Sequence, residues 1–267
     1  MKLVIVPAHR GWLWVKLGMQ VFFRQPLALA GLFLLFMVIM TVLAQVPSLG
    51  VVFGMLLLPG LTLGLMAGTQ EVTQQRFPTP LVLLSAFRKG RAQVWTMLQL
   101  GALYAVGCLL ALSASYLVDD GSFARVYLGA NSTAEAVLQE EARFVTAMAV
   151  FVCLCLPVSL LLWHAPALVH WHGLSAAKSV FFSLVACLRN FGAFVVFGLA
   201  WLGVVLLILV GITLLSFLLN APMLASYLLP PLLLSVLAMF FASLFFSYRD
   251  CFEDVGLLNP ATDPSAR

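Results

Sequence analysis

Three histidines, His164, His170 and His172, stand close together beside Trp163 and Trp171, and Cys153 and Cys155 stand two apart just ahead of them. These are the side chains best suited to holding a metal, so their spacing decides whether the chain has a metal site. A structural zinc needs four ligands converging as a tetrahedron. The six-residue step from His164 to His170 does not share a helix face, and no nearby carboxylate completes a set. Cys153 and Cys155 point about 200° apart on a helix, so they do not share a copper ion. The five cysteines, Cys108, Cys153, Cys155, Cys187 and Cys251, form an odd set with no pair in an external loop. Those inside apolar stretches read as small hydrophobes, and no disulfide framework is expected.

Catalytic patterns fare no better. The sequence has no phosphate loop, dinucleotide fingerprint, HExxH, GxSxG or other pairing of nucleophile and base. Ser and Thr within apolar stretches, such as Thr62, Ser113 and Ser159, are expected to bond preceding carbonyls of their own helix. The expectation is therefore no enzyme, no catalytic residue, no metal and no cofactor.

Composition supplies the class that these residues do not. Of 267 residues 63% are hydrophobic and 9% charged, with a mean hydropathy of +1.08; soluble domains carry about 25% charged residues. The formal charge of +4, from 14 basic and 10 acidic side chains without a long basic run, excludes a nucleic-acid binder. What remains is an integral membrane protein.

A helix needs roughly 20 apolar residues to cross the hydrocarbon, because its backbone polar groups must pair internally there. Six stretches qualify: Leu27 to Val46, Leu49 to Gly68, Val94 to Val118, Phe144 to Trp163, Phe191 to Leu219 and Met223 to Ser247. The first two are parted by Pro47 and Ser48, and the last two by Asn220, Ala221 and Pro222, which predicts tight hairpins. The fold class expected is all-α, with six transmembrane helices in three hairpins joined by amphipathic cytoplasmic linkers. Three regions follow: a cytoplasmic amphipathic segment over 1–26, a six-helix domain over 27–247 and a cytoplasmic tail over 248–267.

No charged residue falls inside a span, where one would cost about 2.5 to 3.5 kcal/mol. Lys2, Arg10, Lys16 and Arg24 precede the first span; Glu71, Arg76, Arg88, Lys89 and Arg91 follow the second; Lys178 and Arg189 precede the fifth. The loop over 119–143 is acidic, with Asp119, Asp120, Glu135, Glu140 and Glu141 against Arg125 and Arg143. An even number of spans puts all but two of the basic residues on one side, which the positive-inside rule makes cytoplasmic. The expected location is the bacterial inner membrane, both termini cytoplasmic and the acidic loop outside. Asn131-Ser132-Thr133 in that loop reads as a polar turn or cap to a short helix from Ala134 to Glu141.

Leu3 to Val6 is too short for the apolar core of a cleavable signal peptide. Over Arg10 to Arg24, Trp12, Val15, Met19, Phe22 and Phe23 recur at helical spacing, with Lys16, Gln20 and Arg24 every four on the other side. This predicts a helix lying on the anionic inner leaflet. Trp12, Trp14, Lys16, Arg24, Arg88, Lys89, Arg91 and Arg189 are the candidate membrane-surface anchors. The entries Val21-Phe-Phe-Arg24, Ser85-Ala-Phe-Arg88 and Ala186-Cys-Leu-Arg189 suggest a threefold repeat of linker and hairpin, against the simpler reading of Arg as an ordinary anchor at helix ends.

Gly11-Trp12, the run Phe22-Phe23-Arg24-Gln25-Pro26-Leu27-Ala28-Leu29, Pro78-Thr79-Pro80 and Phe87-Arg88 carry a resemblance. The chain resembles a family of proteobacterial inner-membrane proteins, over most of its length and most strongly over its first ninety or so residues. Its three-hairpin plan is more loosely similar to the YciC-like group. These resemblances imply a location and an architecture and bring no catalytic motif.

Two patterns within the spans concern packing. Gly60, Gly64 and Gly68 stand four apart in span two, with Gly50 and Gly54 continuing the small-residue spacing; such a stripe admits another backbone closely, within the chain or across a homodimer. Pro59, Pro157, Pro230 and Pro231 lie inside the second spans of the hairpins, where each removes a backbone hydrogen bond and can kink the helix. Near span centres there is no Asp, Glu, Lys, Arg or His, and the amides Gln45 and Gln99 lie toward span ends, which argues against an ion-coupled carrier. The reading is a non-enzymatic scaffold or accessory subunit of a membrane assembly, with anionic lipids and a membrane-protein partner or second copy as its contacts. The alternative is a permease-like or lipid-handling protein moving a hydrophobic or uncharged substrate.

Overall fold

A computed structural model describes residues 2–46, 48–129, 141–221 and 223–253. The turn prolines Pro47 and Pro222, the Asn131-Ser132-Thr133 pattern, the expected helix from Ala134 and the tail from residue 254 lie outside the described residues. The described chain is mostly helical and carries one antiparallel pair of two-residue strands, β1 (Lys2–Leu3) and β2 (Phe252–Glu253). Six helices are long and apolar enough to cross a membrane: α2 (Pro26–Ala44), α3 (Leu49–Thr73), α4 (Arg91–Asp119), α6 (Glu141–Leu162), α9 (Phe191–Leu218) and α10 (Met223–Cys251). Between or before them lie α1 (Arg10–Arg24), a 3₁₀ segment over Pro80–Phe87, α5 (Ser122–Tyr127), α7 (Ala165–His172) and α8 (Ala176–Arg189).

The helices run past the apolar stretches that define them. α3 continues through Gln70 and Glu71, with Thr69 and Thr73 donating to the carbonyls of Leu65 and Gln70. α10 extends to Cys251 and so carries Arg249 and Asp250 on its last turn. Polar residues end a span by composition, but they do not end a helix whose backbone ladder can still be extended.

The described chain divides into two compact units, one of Met1–Leu35, Gly64–Leu83 and Val185–Arg267, the other of Phe36–Leu63 and Leu84–Leu184. In the first, α1 packs on α9 and α10. It presents Trp14, Val15, Leu17, Val21 and Phe22 inward, all essentially buried. Two glycines on that face set its distance. A Cβ at Gly11 would collide with the carbonyl oxygen of Ala193 and sit 2.7 Å from the nitrogen of Phe197; one at Gly18 would lie 2.8 Å from the carbonyl oxygen of Met239. Trp14 stacks against Phe194 and Phe197, Phe240 joins α10 to Phe197 and Trp201 of α9, and Phe33 of α2 meets Phe241.

In the second unit α4 packs along α6, and α5 closes its end. The buried Asp119 carboxylate accepts from the N–H groups of Gly121 at 3.0 Å and Phe123 at 2.6 Å, ending α4 and starting α5 in one motif. Phe123 then meets Phe144 and Phe151 of α6. Arg143 ties the same end by bonding the Val118 carbonyl and the Asp120 carboxylate, the latter at 2.9 Å. At the other end of α4, Gly101 packs so closely that a Cβ would collide with the carbonyl oxygen of Leu56 on α3.

Candidate functional site

The densest polar arrangement in the first unit forms where the two ends of the chain meet. Leu3 pairs with Phe252 and Lys2 with Glu253, and Val4 N–H donates to the carbonyl of Cys251 at 2.9 Å. Asn190, the one-residue joint between α8 and α9, is buried beneath them. Its Oδ1 accepts from Val6 N–H at 2.7 Å, and its Nδ2 donates to the carbonyls of Val4 and Ala186, both at 3.1 Å, and reaches Cys251 Sγ at 3.5 Å. One amide therefore satisfies two backbone groups just beyond β1 and a carbonyl in the last turn of α8.

Asp250 organises the rest of this face. It accepts from the Trp14 indole N–H at 2.9 Å, with the guanidinium groups of Arg10 at 3.6 Å and Arg249 at 3.7 Å. Arg249 also lies over the Phe246 ring, 5.2 Å from its centre. A carboxylate between two guanidiniums and an indole donor is well suited to fixing α1 against α10. Nearby, burial pushes the Cys187 thiol up to about 12.

These contacts correct the reading of α1. Trp14 is not a membrane-surface anchor: it is fully buried, its ring held by Phe194 and Phe197 and its N–H by Asp250. Val15 and Phe22 likewise face protein rather than lipid. The apolar side of the helix is spent on α9 and α10 because the two glycines allow that approach. Trp12 and Phe23 remain outward, on the exposed side that also carries Lys16, Gln20 and Arg24.

The glycine stripe on α3 is filled from within the chain. A Cβ at Gly64 would lie 2.5 Å from Leu83 Cα, so the backbone that approaches there belongs to the 3₁₀ segment rather than to a helix. Gly60 lies under the Phe87 ring, Gly68 against Leu32 of α2, Gly54 against Met40 and Gly50 against the carbonyl of Leu43. Pro59 is buried within α3, whereas Pro157, Pro230 and Pro231 are exposed along α6 and α10. Arg88, Lys89, Arg91 and Arg189 are exposed.

Lys89 nonetheless has an internal task. Its Nζ donates to the carbonyl of His170 at 3.1 Å, and Gln93 Nε2 lies 3.1 Å from His170 Nδ1. A cation two residues ahead of α4 and an amide in its first turn thus meet the last turn of α7, where carbonyls lack helical partners. α7 stops at Gly173, whose φ of 64° lies in the left-handed region and whose N–H returns to Val169. His164 opens α7: its backbone N–H donates to Ser183 Oγ, which donates on to Leu160. His164 and His170 thus lie in separate arrangements that join helices.

Cys155 finds a partner that spacing along the chain does not reveal. Its Sγ lies 3.9 Å from Cys108 Sγ, across the α4–α6 contact where Gly107 also meets Val158. In a variant retaining only these two cysteines, treatment with a membrane-permeant thiol oxidant is expected to join them. Peptide mass spectrometry should recover the 108–155 disulfide; its absence under conditions that oxidise a control thiol pair would contradict the packing of α4 on α6.

The roles of Asn190, Asp250, Gly18 and Gly101, and the packing role of Gly11, are not marked in the sequence by a motif. The seven-residue step from Gly11 to Gly18 is two helical turns and was the available signal for close packing. Asn190 was visible only as the polar residue between Arg189 and an apolar run, and nothing along the chain marks Val4 and Val6 as its partners.

Comparison with known proteins fits this architecture. The chain is 33% identical over 255 residues to a probable inner membrane protein of Burkholderia thailandensis, and the match covers 94% of each chain. No family model matches the chain, and no solved structure does.

Proposed function

The chain belongs to the same family as that Burkholderia thailandensis inner-membrane protein, and on this premise we propose that it is a non-enzymatic scaffold or accessory subunit of a membrane assembly. On this reading both termini lie in the cytoplasm, on the side that the positive-inside rule assigns to most of the basic residues. The observation that carries the reading is the open side of α9. Ala193, Phe197, Trp201 and Ile212 are its buried positions, whereas Leu199, Leu202, Leu206, Leu207, Val210 and Leu214 are exposed. A 28-residue helix that commits one edge to its own chain leaves a long apolar side for a neighbouring membrane helix.

The hydroxyls within the spans support the same reading. Ser113, Thr146, Thr213 and Ser235 donate to the carbonyls of Leu109, Ala142, Leu209 and Pro231. Hydroxyl protons engaged in their own helices are not offered to a polar solute. The plan of paired spans with surface linkers, similar to the YciC-like group, belongs to this proposal as its architecture.

A photo-crosslinking residue at Leu207, compared with one at the inward Trp201, tests the reading in native membranes. A defined protein adduct from position 207 alone is the expected result. Adducts to lipid only, together with solute flux in proteoliposomes that Pro157→Ala abolishes, would overturn it in favour of the permease-like alternative.

A further inference from the structure

The outer strip of α1 combines features that the sequence pattern had assigned to opposite sides of the helix. Lys16, Gln20 and Arg24 stand four residues apart and are exposed. Between and beside them lie Trp12, Met19 and Phe23, with Trp12 55% and Phe23 69% exposed. Together these six residues line a shallow trough of about 660 Å³. Successive members of the polar row are separated by about 6 Å along the axis, so the Lys16 and Arg24 side chains are long enough to converge above Gln20.

Among the described residues no ion pair joins Lys16 or Arg24 to an acidic group, whereas Arg10 of α1 and Arg76, just past the end of α3, are engaged. Arg10 faces Asp250, and Arg76 holds Glu71 through Nε at 2.6 Å and Nη2 at 3.0 Å. Arg76 is also the neighbour of this strip, because Gln25 Nε2 donates to its carbonyl. Glu71, the carboxylate nearest that point in sequence, is thereby already neutralised. The helix is fixed in place by Gly11, Gly18 and Trp14, so the strip is presented by a helix anchored to its own protein.

We infer that this strip is a binding site for the headgroup of one anionic glycerophospholipid, its phosphodiester held by Lys16 and Arg24 above Gln20. Trp12 and Phe23 flank the phosphate and enter the boundary between headgroups and acyl chains, where amphipathic and aromatic rings are favoured. Two cations that pair with no carboxylate among the described residues select a headgroup with net negative charge over a zwitterionic one, whose own ammonium would meet the same guanidinium and ammonium. The site goes beyond the scaffold reading and does not depend on it.

The test uses the full chain released in mild detergent, supplemented with phosphatidylglycerol or phosphatidylcholine and examined by native mass spectrometry. One phosphatidylglycerol retained per chain, in preference to phosphatidylcholine, is expected. K16Q/R24Q should weaken that retention about 25-fold, at about fivefold per basic residue, while K178Q, on α8, leaves it unchanged. If the double variant does not accumulate, K16Q and R24Q read singly carry the same test, each with about a fivefold loss. Equal retention of the two lipids, or retention that neither substitution lowers, would overturn the site. Because the readout is a bound lipid, its failure leaves the protein-adduct test of the scaffold reading untouched.

Discussion

Gly11→Val is expected to remove most of the folded protein from the membrane. The substituted Cβ would enter the space of the Ala193 carbonyl oxygen and approach the Phe197 nitrogen, both of them backbone atoms of α9. A side-chain neighbour could rotate away, but a helix backbone moves only with its whole packing. Overfilling a packed interior costs about 1–3 kcal/mol where side chains can adjust and more where they cannot. Here the displaced helix is α1, and with it would go the Trp14–Asp250 hydrogen bond and the Arg10 ion pair. Fluorescence-detected size-exclusion of a tagged chain should show loss of the monodisperse peak. Gly198→Val serves as the matched control, since nothing lies within 4 Å of a Cβ at that position of α9. A Gly11→Val protein as abundant and as heat-resistant as the control would remove the proposed seat of α1.

Asn190→Leu is expected to release the N-terminal strand while leaving the spans in place. Leucine is similar in size but supplies neither the acceptor for Val6 N–H nor the donor for the carbonyls of Val4 and Ala186. A buried polar group left without its partner costs about 1–3 kcal/mol. Hydrogen exchange of the amides over residues 3–6 should therefore accelerate by roughly 30-fold, the equivalent of about 2 kcal/mol. Exchange within α4, which belongs to the other unit, should not change. Unaltered exchange at Val4 and Val6 would mean that Asn190 does not hold the chain ends together.

The contrast between these residues shows what the sequence could and could not convey. Spans are legible because the bilayer imposes one dominant rule: an uninterrupted apolar run must be helical there. That rule needs no knowledge of partners, so six such runs are read as six helices. Side-chain partnerships across the chain follow no comparable rule. Asp250 and Trp14 are 236 positions apart, and Asn190 lies 184 positions from Val6. The periodicity of α1 gave the right helix, Arg10–Arg24, but not the destination of its apolar face. A lipid leaflet and a groove between α9 and α10 ask for the same hydrophobic residues, and only Gly11 and Gly18 distinguish them.

The α3 stripe makes the related point about small residues. Its spacing signals close approach, but the approaching group at Gly64 is the 3₁₀ backbone at Leu83 and at Gly60 the Phe87 ring. Cys155 is a third case: reasoning along α6 set it against Cys153, whereas the contact is made across to Cys108 on α4.

The two ends of the described chain meet through β1 and β2, which requires an even number of membrane crossings between them. Reporter fusions at both ends test this most directly. Green fluorescent protein, which folds in the cytoplasm, should fluoresce whether joined ahead of Met1 or after Arg267, and alkaline phosphatase, which needs export, should be inactive at either position. Phosphatase activity at one end with fluorescence at the other would place the termini on opposite sides and contradict the pairing of Leu3 with Phe252.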